Sequence, residues 1–186
     1  MNGHYIVNKF YITTPIYYVN DEPHIGHAYT TILADVLSRV KKLQNFDVFF
    51  LTGTDEHGQK VQEAAERRNV RPADHVDEYV KRFESIWKSL NIEYNDFIRT
   101  TEDRHKDRVQ DLLIYLKNKG DIYMDEYEGL YSVSEERFIT EKEAEEGHFK
   151  GIKTLKEKNY FFKMSKYQDQ LIKHIKDNPD FIKPVS

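Results

Sequence analysis

Apolar positions alternate along this chain between short strand-like runs and helical stripes. Phe10–Thr14 (FYITT) is a short aromatic and β-branched run that predicts a strand. Over Gly26–Leu43, residues Ile32, Leu33, Val36, Leu37, Val40 and Leu43 recur at i, i+3, i+4, i+7 spacing, the stripe of a helix packed on a sheet. Asp47–Thr52 (DVFFLT) is nearly continuous, as expected of a strand buried on both faces. His57–Asn69 reads as a charged helix. A second helix begins near Pro72, a favoured first-turn residue, and is striped by Val76, Tyr79, Val80, Phe83, Ile86, Trp87 and Leu90. Phe97–Thr100 predicts a third strand. Val109, Leu112, Leu113 and Leu116 then stripe a helix that ends at Gly120, a C-cap residue.

This βαβ alternation predicts a parallel sheet with ligand at the carboxyl ends of its strands. From about Asp121 the texture changes. Short aromatic segments give way to a highly charged stretch at Glu141–Lys158, then to a helix striped by Tyr167, Leu171, Ile172 and Ile175. There are no repeats and no low-complexity linker.

Composition narrows the picture. At 186 residues with 39% apolar content, one medium domain, or one domain with an insertion, can bury a core. No run approaches the ~20 apolar residues of a membrane span, and Met1–Tyr5 has neither a basic nor an apolar signal region. A cytoplasmic protein without membrane attachment is the expectation. Cysteine is absent, which excludes disulfides and thiolate metal sites. The net charge of −4 is spread evenly, with no basic block to mark a nucleic-acid surface.

Candidate chemistry lies where the sheet pattern places a ligand. His24-Ile25-Gly26-His27 opens a helix just after the first strand. Glycine there lets a ligand approach the backbone, and a helix N-terminus offers unpaired N–H groups and partial positive charge to phosphate. Two imidazoles can donate to phosphate oxygens as charge builds in a transition state. Taken alone, the tetrad fits a His-rich surface loop equally well. Taken by themselves, Asp55 in Thr54–His57 reads as a cap of the following helix, and the tyrosines of the Tyr17–Tyr18 pair read as core.

The tetrad does not stand alone. Phe10–His27 (FYITTPIYYVNDEPHIGH) and Leu51–Gly58 (LTGTDEHG) resemble the amino-terminal half of the catalytic domain of methionyl-tRNA synthetases, which are class I aminoacyl-tRNA synthetases. Asp96–Thr101 (DFIRTT), Gly120–Tyr131 (GDIYMDEYEGLY), Glu136–Glu141 (ERFITE) and Tyr160–Tyr167 (YFFKMSKY) continue the match in order and spacing, as far as Pro184. The resemblance implies an α/β fold: an incomplete Rossmann-like parallel nucleotide-binding fold with a small mixed α+β connective insertion. Residues 1–120 would be the first half of the catalytic domain and 121–186 the insertion.

The resemblance also implies the reaction. The carboxylate of L-methionine attacks the α-phosphate of ATP, pyrophosphate leaves, and the full-length enzyme passes the aminoacyl group to tRNA(Met) through parts that this chain lacks. His24 and His27 would donate to phosphate oxygens, and Gly26 would admit the nucleotide. Pro15 and Ile16 would line the methionine site, Tyr18 would close over it, and Asp55 would hold the ammonium. Mg²⁺ is expected to arrive with ATP, held mostly by phosphates and water. A metal site at His24 and His27 lacks a third ligand nearby in sequence.

One segment invites misreading and another departs from the family pattern. Lys163-Met164-Ser165-Lys166-Tyr167 imitates the mobile lysine loop of class I enzymes. In this family, however, such a segment recurs inside the insertion, where Tyr167 and the phenylalanines pack and the lysines are solvated. Many relatives carry a zinc knuckle introduced by Tyr-Cys-x-x-Cys. Here Tyr131-Ser132-Val133-Ser134-Glu135 has lost both thiols, so no zinc is expected and the insertion must hold by packing or be loosely ordered around Glu141–Lys158. The chain also stops at Pro184–Ser186, before the rest of the fold, the true lysine loop and the anticodon-binding domain. A fragment with an exposed sheet edge is the expectation. The alternatives are another class I synthetase, a nucleotidylyltransferase, or a synthetase-like fragment acting as a non-catalytic binding module.

Overall fold

A computed structural model describes residues 8–135 and 137–183; the expectations placed on Met1–Tyr5, Glu136 and Pro184–Ser186 lie outside them. The chain divides into two compact units, residues 1–109 and 110–186.

The first unit is built on strand β3 (Asp47–Asp55), which pairs in parallel with β1 (Lys9–Thr13), β2 (Tyr17–Tyr18) and β4 (Asp96–Arg99). Among the described residues β1 pairs with β3 alone, so its other edge is open. Helices α1 (Ile25–Leu43), α2 (Gln59–Arg67) and α3 (Pro72–Ser89) supply the crossovers. Pro72 sits at the first turn of α3, where its missing N–H costs no hydrogen bond. Val76, Tyr79, Val80, Phe83 and Trp87 of α3 form one core with Phe50, Val61, Ala34, Tyr17 and Val19. At Gly53 any Cβ would lie 2.0 Å from the Ile98 carbonyl oxygen, so only glycine lets β3 and β4 approach this closely.

Two packing expectations are corrected. The stripe of α1 is exposed, Val36 to 50% and Leu43 to 84%. The helix instead buries Thr31, Ala34, Asp35 and Ser38, a row of small and polar side chains at the same helical spacing. Asp35 fits there because Arg39 Nε and the Glu93 N–H both donate to its carboxylate, at 2.7 and 2.9 Å. Strand β3 is likewise not buried on both faces along its whole length. Val48 and Phe50 face the core, whereas Phe49 is 46% exposed and its ring lies 6.0 Å from that of Tyr11, which is exposed too. The core residues of α1, α2 and α3 cluster with Phe50, leaving the Phe49 side without such a layer.

Helix α4 (Asp103–Asn118) runs across the division between units and ends at Gly120, whose φ of +77° is the left-handed cap conformation. The second unit is dominated by β5 (Ile122–Ser132) and β7 (Ile152–Phe162), an antiparallel ribbon paired without a break from Ile122–Phe162 to Ser132–Ile152. Strand β6 (Arg137–Ile139) adds to β5. Much of the charged stretch is therefore regular strand. Its side chains are charged because nearly all of β7 is exposed on both faces. A short helix α5 (Glu141–Glu145) starts from a capping box in which Thr140 and Glu143 bond each other's backbone N–H.

The Lys163–Tyr167 segment forms a 3-10 turn from Met164 into α6 (Gln168–Asp177). Tyr167 stacks on Phe162 at 5.5 Å, as expected. Lys166, however, is not simply solvated. Its ammonium pairs with the buried Asp121, whose carboxylate also accepts the Tyr167 hydroxyl and lies 3.2 Å from Lys119 Nζ. The Lys163 N–H donates to the Asp121 carbonyl at 2.9 Å, so the turn clasps the base of the ribbon. At the far end of the ribbon, Ser132 Oγ accepts the Glu135 N–H at 3.3 Å and bonds Ser134 Oγ at 3.0 Å.

Candidate active site

The site lies at the carboxyl ends of the parallel strands, where β1 breaks at Thr14–Ile16 and resumes as β2. Thr14 Oγ bonds Thr52 Oγ at 2.7 Å in the interior, tying this break to β3. Of the adjacent tyrosines, Tyr17 turns inward and Tyr18 outward. The Tyr17 ring stacks on Phe83 at 5.8 Å, and its hydroxyl bonds Thr31 Oγ at 2.8 Å. Tyr18 is exposed and lines a cavity of about 400 Å³ with Ile16, Tyr17, Asn20, Asp21, Glu22, His24 and His27.

The two histidines form the start of α1. The Gly26 N–H donates to His24 Nδ1 at 3.1 Å, and the His24 N–H donates to His27 Nδ1 at 3.2 Å. This is a reciprocal capping box made of imidazoles in place of the usual hydroxyl and carboxylate. The rings stack 3.7 Å apart. Because each Nδ1 accepts, the network assigns the neutral tautomer with hydrogen on Nε2 to both rings. Burial, and secondarily the neighbouring His24, hold the His27 pKa below the ordinary imidazole value, consistent with that neutral form. Space beside the glycine between them is tight: a Cβ on Gly26 would meet His24 Cε1 at 3.0 Å and Nδ1 at 3.1 Å, so the ring would have to shift to admit it.

Asp55 is the last residue of β3, and its register partner on β2 is Tyr18. Among the described residues its Oδ1 accepts only a long 3.4 Å bond, from the His57 N–H. Glu56 beside it turns inward and is buried. Arg99 holds it with a two-point contact, Nε at 2.6 Å and Nη2 at 3.1 Å. His57 Nδ1 lies 3.0 Å from Thr100 Oγ.

Of the residues singled out in the sequence, Ile16, Tyr18, His24 and His27 share the cavity wall. Pro15, Gly26 and Asp55 are not on that wall: Pro15 is exposed in the β1–β2 break, Gly26 lies in the first turn of α1, and Asp55 lies beside Tyr18. Asn20, Asp21 and Glu22 also line the cavity; they lie inside the Phe10–His27 block but were not singled out within it. Glu22 pairs with Arg82 of α3, which fixes one wall of the cavity to the core. Among the described residues no cluster of three or more His, Asp or Glu side chains is placed to hold a metal ion, and no helix is long and apolar enough to cross a membrane.

The family model of class I tRNA synthetases (M) matches residues 10–153. The chain is 49% identical to methionine–tRNA ligase 1 of Bacillus cereus and 50% identical to methionine–tRNA ligase of Fusobacterium nucleatum, over 96% of its length in each case. It spans 29% of the length of these relatives. Among solved structures it is similar to Mycobacterium tuberculosis methionyl-tRNA synthetase in complex with methionyl-adenylate, with a TM-score of 0.89 and 41% identity, covering 96% of this chain and 37% of that one. With a parallel α/β sheet, a histidine-capped helix at its carboxyl edge and these likenesses along nearly its whole length, the chain belongs to the class I tRNA synthetases of the methionine type.

Proposed function

We propose that this chain is the methionine-activating part of a cytoplasmic methionine–tRNA ligase, with residues 1–120 as the first half of the catalytic domain and 121–186 as its connective insertion. The observation that carries the reading is the imidazole cap. It commits both Nδ1 atoms to the helix and leaves both Nε2–H groups as donors at a positive helix end beside the cavity.

In the proposed reaction the methionine carboxylate is the nucleophile, so the protein need supply none. An oxygen of that carboxylate bonds to the α-phosphorus, the bond to the bridging oxygen breaks, and pyrophosphate carries away the electron pair. The protein positions the reactants and stabilises the pentavalent phosphate. His24 and His27 donate from Nε2 to phosphate oxygens. Asp55 receives the methionine ammonium, while Pro15, Ile16 and Tyr18 bound the amino-acid side. Mg²⁺ accompanies ATP and offsets its phosphate charge. No zinc is assigned to the insertion, because Ser132 and Glu135 stand at the thiol positions. tRNA(Met) is the third substrate, after methionine and ATP, engaged by regions beyond the 29% of its relatives' length that this chain spans.

Methionine-dependent ATP–pyrophosphate exchange by the full-length gene product tests this. His24→Asn retains a good helix cap but loses the imidazole donor. It should keep the wild-type Tm and reduce kcat by roughly 10²-fold, the usual effect of removing one transition-state donor. Undiminished exchange in His24→Asn, or no exchange in the wild type, would sink the proposal.

A further inference from the structure

We infer that Glu56 is a positioning residue for the amino-acid subsite: it fixes the direction of the Asp55 carboxylate and so sets methionine affinity. The inference rests on the proposed function, since it concerns the carboxylate assigned to the methionine ammonium.

A carboxylate as deeply buried as Glu56 is costly unless it is saturated with donors. It is. Thr54 Oγ donates at 2.7 Å, Arg99 donates through Nε at 2.6 Å and Nη2 at 3.1 Å, and the Thr101 hydroxyl donates as well. The backbone is held too, because the Glu56 N–H donates to Thr100 Oγ at 2.9 Å. Arg99 is anchored from its far side by Asp77 Oδ1 at 2.6 Å. The network therefore reaches from β3 across β4 to α3.

Strand geometry makes this matter for Asp55. Successive side chains on an extended chain point to opposite sides. Thr54 and Glu56 bond each other on the inner side, so Asp55 between them must project the other way, beside Tyr18. Among the described residues, Asp55 itself has only the long 3.4 Å hydrogen bond from the His57 N–H. Its direction is thus set by its neighbour's bonds rather than by its own. Asp55 is left with acceptor capacity for a ligand, while Glu56 absorbs the local donors.

The test is exchange kinetics of the full-length gene product carrying Glu56→Gln, with Thr101→Val as a milder variant that removes one donor. Glu56→Gln should raise the methionine KM about tenfold and leave the ATP KM within about twofold, because only the ammonium anchor is misdirected. Thr101→Val should show the same split at about threefold. Methionine and ATP KM rising together with a fall in Tm would mean a purely structural role and overturn the inference, as would an unchanged methionine KM in both variants. A wild-type enzyme without methionine-dependent exchange would overturn the functional reading and this inference with it. An active wild type with no split in the variants would overturn this inference alone.

Discussion

Tyr18 and Asp55 face each other as direct partners across the parallel β2–β3 register. An aromatic ring and a carboxylate with spare acceptor capacity are thereby held side by side at the carboxyl end of the sheet. That pairing suits an amino acid presented by its ammonium.

Asp55→Ala is expected to abolish measurable methionine affinity in the full-length protein and leave ATP affinity nearly intact, since the ammonium loses its charge partner. Isothermal titration with each ligand separately checks this. Equal loss of both ligands would point to misfolding.

Gly26→Ala should displace the His24 ring, because the new methyl group would sit 3.0 Å from Cε1. Loss of the cap should destabilise the first unit by about 1 kcal/mol, the usual value for a capping residue. Urea denaturation measures it. Stability equal to wild type would show that the ring can move aside without cost.

Acidification should weaken the helix cap. The native pKa of His27 lies below that of the unfolded chain, so between those values the unfolded state binds more protons and the native state is disfavoured. Stability is complete above the ordinary imidazole value near 6.5 and falls as pH drops through the lower native value. Denaturation midpoints recorded between pH 7.5 and 5 should decline, and His27→Gln should flatten that decline. NMR titration of the His27 ring should place its midpoint on the acid side of 6.5.

Lys166→Met should lower the Tm of the second unit, because Asp121 loses one of the donors that hold its carboxylate well below the usual range. The ATP KM and the exchange rate should not change. A selective fall in kcat would instead give Lys166 a part in the chemistry.

Much of the fold was legible where its signals are local. Pro72 marks a helix start, Gly120 marks a helix end, and the apolar stripe of α3 contains every buried residue of that helix except His75. The tetrad and Asp55 lie where a βαβ pattern puts a ligand. The failures share one cause: hydrophobicity shows which positions favour burial, not which are covered. The stripe of α1 is apolar yet exposed, while the side it packs inward is Thr31, Ala34, Asp35 and Ser38. Asp35 could be identified as buried only by knowing that Arg39 and the Glu93 backbone would meet it. Lys166 posed the same problem, since its partner Asp121 lies 45 residues away. Strand β7 was obscured because a ribbon exposed on both faces needs no alternation.

Under the proposed function, the imidazole cap ties folding to chemistry in a way that constrains inheritance. The same ring atoms that close the first turn of α1 fix the tautomer that presents the donors. A lineage that abandoned catalysis could not discard His24 and His27 freely, because the helix would fray unless a new cap arose in the same step. Retention of both histidines in a descendant is therefore weak testimony that it still catalyses anything. The more telling trace of a lost activity would be an Asn or Ser at position 24, which preserves the helix and ends the donation.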